Sequence, residues 1–209
     1  NSDSLIVNKI AKEILQHGEA YKNLEYLCKK IGSRLSGSAN AQKAVEATFN
    51  MLKAAGADTV YLQPCTVPHW VRGEKEEATV QWSNNKKSLN VCALGGSVAT
   101  SANGIKALVI EIKSFEELAS MSEEDIKGKI IFYNYPMKTE LVLGGYGDAV
   151  RYRWNGPVIA AQKGAVAIMI RSVTYALDDH PHTGATHYVD TVKKIPAIAC
   201  STKDAEWLS

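Results

Sequence analysis

The residues best suited to chemistry are Asp178-Asp179-His180-Pro181-His182, followed by His187 and Asp190. Imidazole and carboxylate groups are ligands that zinc accepts, so metal-assisted hydrolysis is the first chemistry this stretch suggests. The spacing argues against a complete site. His180 and His182 flank a proline, and the chain contains no His-x-x-x-His helix pair, no His-Glu-x-x-His motif and no His-x-Asp triplet. A solvated or substrate-facing loop is the favoured reading, with a metal site on His180, His182 and His187 as the minor alternative.

Nucleophilic catalysis has less support. There is no Gly-x-Ser-x-Gly elbow, and Cys28, Cys65, Cys92 and Cys200 form no Cys-x-x-Cys pair and carry no signature of a reactive thiol. Buried free thiols are favoured over a disulfide framework in a chain of this length. Leu143-Gly144-Gly145-Tyr146-Gly147 has the glycines of a phosphate loop but lacks its lysine, so a turn is expected. His69, Trp70 and Arg72 beside Pro68 suit either a binding surface or a domain junction. Arg151 and Arg153, alternating with Tyr152 and Trp154, read as the solvated and core faces of one helix.

These groups need a scaffold, and the composition provides one. The chain has 209 residues, 45% hydrophobic and 22% charged, enough for one or two domains with real cores. Its 24 basic and 22 acidic residues leave a net charge of +2, which gives no field for collecting nucleic acid. The apolar runs fall well short of the roughly 20 residues a membrane helix needs. The start, Asn1-Ser2-Asp3-Ser4, carries no basic or apolar targeting core and fits either a cytosolic protein or a mature exported one.

Periodicity predicts a helix over Leu5 to His17, a second over Glu19 to Lys30 and a third over Ala39 to Ala55, with a Gly/Ser-rich loop from Gly32 to Ser38. Asp58 to Val67 alternates like a strand, and Glu77 to Ser83 with Ser88 to Leu94 reads as a hairpin about Asn84-Asn85. From Gly104 the pattern becomes strand and helix in alternation: strands at Ile105–Ile112, Lys129–Tyr133, Ala165–Arg171 and Ile195–Ser201, helices at Ser114–Met121 and Asp148–Lys163. The expectation is an α/β protein with a boundary between about Arg72 and Gly104. Ser201 and Asp204 form a capping box whose helix is cut short at Ser209, so truncation is expected.

Seven segments, in order, carry a resemblance: Ile31-Gly32-Ser33-Arg34-Leu35-Ser36-Gly37-Ser38, Val67-Pro68-His69-Trp70-Val71-Arg72-Gly73-Glu74, Leu94-Gly95-Gly96-Ser97-Val98-Ala99-Thr100, Gly128-Lys129-Ile130-Ile131, Ile170-Arg171-Ser172-Val173, Pro181-His182-Thr183-Gly184 and Lys194-Ile195-Pro196-Ala197. Together they resemble the zinc exopeptidases of aminopeptidase/carboxypeptidase family 28, in the group of plasma glutamate carboxypeptidase. Asn134 to Gly147 does not align with that pattern. The resemblance implies that residues 1–103 are the opening of the peptidase α/β domain and that residues 104–209 are an inserted, C-terminally truncated protease-associated α/β domain. It implies a secreted or periplasmic hydrolase of dipeptides or small peptides that uses two zinc ions and admits a homodimer.

The family's metal ligands and general base follow the inserted domain, so none carries over here, and the fragment alone is expected to bind no zinc and to be inactive. Arg171, His182, Thr183 and Gly184 are the candidates for bordering the substrate cleft. The rival reading is a stand-alone protease-associated module that binds a partner without catalysis. Which end of a peptide is attacked is not encoded in the residues present.

Overall fold

The computed structural model describes residues 2–139 and 144–209. It divides into two compact units, Asn1–Val71 and Arg72–Ser209.

The first unit is helical. Helix α1 spans Ser2–His17 and α2 spans Ala20–Tyr26, continuing as a π-helical turn over Leu27–Ile31 that stops at Gly32 with φ +79°. The Gly/Ser segment is ordered. Arg34 donates to the Leu27 and Gly32 carbonyls at 2.9 and 2.8 Å, and the Ser36 hydroxyl donates to the Pro68 carbonyl at 2.6 Å. Ser38 then caps α3, Ala39–Ala54, by accepting from the Ala41 amide at 3.1 Å. The strand expected over 58–67 does not form: these residues pair with no strand among the described residues. Alternation supplies a sided surface, but a strand also needs a neighbour for its backbone N–H and C=O groups.

The second unit holds the core. The hairpin forms as β1, Ala78–Trp82, and β2, Asn85–Leu89, turning at Ser83 with φ +49°. Its second strand starts at Asn85, three residues earlier than expected and inside the expected turn, and it ends at Leu89 because the chain breaks at Asn90. Val91–Ala93 becomes β3 and joins a different sheet. That sheet has the order β3-β7-β6-β5-β4, with β4 Val109–Ile112, β5 Ile130–Tyr133, β6 Ala167–Arg171 and β7 Ala197–Cys200. Strands β4 to β7 are parallel, and β3 runs antiparallel to β7.

Helices cover both faces, which is why the parallel strands read as continuous apolar runs. On one face Ile112, Ile131, Tyr133, Ile168 and Ile170 pack against Leu118 of α4, Phe115–Ser120, Ile126 of α5, Glu123–Ile126, and Tyr152 of α6, Gly144–Gln162. On the other, Phe132, Met169 and Cys200 meet Leu89 of the hairpin and Ala205 of α7, Thr202–Leu208. Three short helices share one start signal. Ser114, Ser122 and Ser201 each accept from the backbone amide of an acidic residue three positions on, at 3.0, 3.2 and 3.1 Å. Helix α5 escaped the periodicity reading because a single turn has no period to show.

The outer strand β3 would present a bare edge, and side chains close it. Glu76 accepts the Ala93 amide at 3.0 Å, while Arg72, ion-paired to Glu76, donates to the Ala93 carbonyl at 3.2 Å. Those hydrogen bonds and the guanidinium outweigh the effect of burial and hold the Glu76 carboxyl below its ordinary range.

Candidate functional site

The sequence-predicted residues His182, Thr183 and Gly184 lie in a loop between β6 and β7 that is pinned on three sides. The Ser172 hydroxyl, just past the end of β6, accepts from the His182 amide at 2.8 Å and donates to the Cys200 carbonyl at 2.6 Å. The Thr183 hydroxyl donates to the Ala93 carbonyl at 2.7 Å. Gly95 and residues 184–186 exchange backbone bonds, Gly95 N–H to Gly184 O at 2.8 Å and Thr186 N–H to Gly95 O at 2.9 Å.

The third anchor comes from a proline. Pro157 lies inside α6, has no N–H to give, and so releases the carbonyl of Arg153 four residues earlier. The Thr186 hydroxyl takes that carbonyl at 2.9 Å, the His187 amide donates to the adjacent Trp154 carbonyl at 3.1 Å, and the His187 ring stacks on Trp154 with centroids 5.4 Å apart and planes at 12°. The Arg153 guanidinium lies against Gly184, where an added Cβ would fall 2.4 Å from Cζ. A Cβ at this position would have to displace that guanidinium, the far end of a long side chain that can shift. The result is a rigid backbone that presents exposed His182 and Thr183 at the surface.

Thr186 is the polar residue this arrangement depends on, and it is 8% exposed. Thr186→Val keeps the shape but strands the Arg153 carbonyl, so it should cost about 1–2 kcal/mol in urea unfolding. A change below about 0.3 kcal/mol would remove the proline-carbonyl anchor from the account.

Arg171 is placed differently. It points to the α7 face, where its Nη1 meets Glu206 at 2.7 Å and the Asn134 side-chain oxygen at 3.3 Å; Asn134 in turn donates to Glu111 at 2.6 Å. Ser172 links it through the backbone to His182, but its guanidinium is already engaged with α7.

The other candidates are dispersed. Asp179 pairs with Lys203 at 2.8 Å, Asp190 pairs with Lys194 at 3.3 Å, and Asp178 accepts from the His180 amide at 2.9 Å. Among the described residues no three His, Cys, Asp or Glu side chains gather as a metal site. His69 lies against Gly37 in the first unit, while Arg72 belongs to the edge of β3 in the second. Of the Gly-rich segment, Leu143 lies outside the described residues and Gly144 to Gly147 form the first turn of α6 in place of the expected turn. Arg151 is solvated and Tyr152 buried as expected, yet Trp154 is on the surface, held by His187.

All four cysteines are free, but the expected burial holds only for Cys200; Cys28 and Cys65 are exposed. Their runs lack a packing partner in the first unit, so apolar neighbours in sequence did not become a core. Burial pushes the Cys200 thiol up to about 12, which keeps it protonated and inert.

Comparison with known proteins adds what the side chains alone do not. No family model matches the chain. Carboxypeptidase Q of Xenopus laevis is 43% identical over 207 residues, and that of Homo sapiens 38% over the same length; in each case 96% of this chain aligns with 42% of the relative. The peptidase M28 precursor of Shewanella amazonensis superposes with a TM-score of 0.88 at 34% identity, over 97% of this chain and 46% of that one.

The chain belongs to the carboxypeptidase Q-like family of M28 peptidases.

A zinc aminopeptidase from Bacillus subtilis, at 21% identity and a TM-score of 0.57 over 91% of this chain, shares the fold. This chain spans less than half the length of the relatives it matches. Its described residues do not fit a zinc ion, since no donor set is assembled, and no step through a metal follows from them. No helix among the described residues is long and apolar enough to cross a membrane.

Proposed function

We propose that this chain is the N-terminal part of an exported di-zinc exopeptidase acting on dipeptides or other small peptides, and that on its own it is catalytically inert. The observation that carries the reading is the alignment of nearly the whole chain with under half of each carboxypeptidase Q relative. Residues 104–209 are read as a protease-associated domain, with β3 as the segment that ties it to residues 1–103. The pinned loop at 181–187 is read as a rim of the substrate cleft. A rigid rim serves to hold a small substrate in register and to exclude water, and its entropy cost is met in folding, before substrate arrives.

The test uses the 209-residue chain and the complete gene product side by side. The short chain is expected to retain no zinc after dialysis and to hydrolyse no dipeptide. The complete protein is expected to retain zinc and to turn over. In the complete protein, His182→Ala should raise KM or lower kcat by about tenfold, the loss of one positioning contact of about 1.4 kcal/mol. Wild-type kinetics for His182→Ala would take the loop out of the cleft, and stoichiometric zinc on the short chain would overturn the fragment reading.

A further inference from the structure

We infer that Arg153 and Tyr146 form a receptor for the free carboxylate of a small peptide, set against the loop that presents His182. The inference rests on the reading above that this loop borders a substrate cleft, and it names the group by which a substrate is held there. What carries it is the state of Arg153 among the arginines of the second unit. Arg72, Arg151 and Arg171 each pair with a carboxylate, that of Glu76, Asp148 and Glu206 respectively. Arg153 pairs with none among the described residues.

The Arg153 guanidinium uses one of its five donors, from Nη2 to the Tyr146 hydroxyl at 2.7 Å. Its Nε is shut off from solvent and has no hydrogen-bond partner. A buried N–H left unpaired costs stability, so keeping this cation unsatisfied calls for a purpose other than holding the fold. Arg171 shares the orphaned Nε, but its charge is engaged by Glu206. The Tyr146 hydroxyl accepts from Arg153 and so keeps its own proton to donate. Its side chain is 50% exposed, with the ring centre 5.7 Å from the guanidinium carbon. An N–H and an O–H offered side by side on one cation match the two oxygens of one carboxylate.

The receptor is positioned by the same anchors as the loop. The Thr186 hydroxyl holds the Arg153 carbonyl at 2.9 Å, and the guanidinium rests against Gly184, where an added Cβ would fall 2.6 Å from Nε and 2.7 Å from Nη1. Gly184 follows exposed His182 by two residues, so a carboxylate bound at Arg153 lies next to the His182–Thr183 surface. Part of the cost of ordering this long side chain is met in folding. Tyr175, 53% exposed, brings its hydroxyl to Gly145 beside Tyr146 and adds a second aromatic surface for an apolar side chain of the ligand. One guanidinium flanked by phenol rings suits the single charge of a peptide carboxylate, whereas a phosphate dianion calls for clustered cations.

The experiment follows the arginine Nε–H signals and the Gly184 amide of the 209-residue chain by NMR, with alanyl-alanine and alanyl-alanine amide as probes; the Arg153 signal is identified by its loss in Arg153→Gln. Alanyl-alanine should shift both signals saturably in the millimolar range, and the amide should leave them in place. Tyr146→Phe, a change on an exposed side chain, should weaken this binding by about fivefold. Arg153→Lys keeps the charge but loses the fork, and should weaken it by about tenfold at the Gly184 amide. Equal shifts by acid and amide, or no saturable shift, would overturn the inference, and inorganic phosphate displacing alanyl-alanine at lower concentration would overturn it in favour of a phosphate site. In the complete protein, Arg153→Gln should bring the preference in kcat/KM for the dipeptide over its amide from about 30-fold to near one. Wild-type hydrolysis of acid and amide at equal rates would sink the carboxylate receptor and leave the peptidase reading standing. A selective shift at Arg153 in a protein that hydrolyses neither would sink the peptidase reading alone.

Discussion

Replacing Asp204 with alanine is expected to cost the second unit roughly 3 kcal/mol of unfolding free energy, the scale for removing one partner from a buried charged network. Asp204 is 3% exposed and accepts from the Asn90 amide at 2.7 Å, the Asn90 side chain at 3.2 Å and the Ser201 hydroxyl at 3.0 Å, with the Lys87 ammonium 3.0 Å away. It therefore joins the hairpin, the break at Asn90 and the cap of α7 through one carboxylate. Burial pushes its pKa up, but the Asn90 amide, Lys87 and Ser201 outweigh burial and hold it below the usual value.

The sign of the pH dependence follows. A carboxyl depressed in the folded state binds protons more readily when unfolded, so its contribution is complete above the unfolded value of about 3.9 and is lost as pH falls through the folded one. Urea unfolding can be followed at Trp207, which meets Trp82 edge-on at 5.1 Å and has the Lys87 ammonium 4.0 Å from its ring. Asp204→Asn should flatten the acid limb of the wild-type profile. A loss under about 1 kcal/mol for the alanine variant, or an unchanged acid limb, would show that the network is peripheral.

The second large effect is expected at Gly156. A Cβ there would sit 2.9 Å from Cε2 and 3.3 Å from Cδ2 of Tyr133. Two terms compete in Gly156→Ala: about 1 kcal/mol gained in helix propensity, and about 1–3 kcal/mol lost to overpacking. The loss should win, because the Tyr133 ring cannot yield. It is 1% exposed, lies between Phe115 and Tyr152 at centroid distances of 5.6 Å each, and its hydroxyl donates to the Gly156 carbonyl at 3.1 Å. Gly156→Val adds more bulk and a β-branch, and should lose roughly 3 kcal/mol in the same urea assay. Gly156→Ala that stabilises the chain would mean the helix can slide off the sheet without cost.

Several elements were legible in the sequence for local reasons. Strands β5, β6 and β7 are short apolar runs in a region of alternating strand and helix, and α1 and α3 carry stripes at helical spacing, so side-chain pattern alone located them. Ser201 announced α7 because its capping bond is made within four residues. The failures have one common cause. Residues 58–67 have the right alternation, and Cys28 and Cys65 sit among apolar neighbours, but pairing and burial depend on chain that is distant in sequence. The break at Asn90 was hidden for the same reason, since it is fixed by Asp204, 114 residues away.

The candidate loop divides in the same way. The sequence by itself determined the α/β class of the second unit, the helical character of the first, and, through the ordered segments from Ile31 to Ala197, the peptidase family, because these rest on local propensity, periodicity and residue identity. Only the tertiary structure decided that Pro157 frees the Arg153 carbonyl for Thr186, that Arg171 turns to Glu206, and that the Arg153 guanidinium lies against Gly184. Those outcomes depend on which donor meets which acceptor across the fold, and a hydrogen bond between residues 33 positions apart leaves no period or motif along the chain.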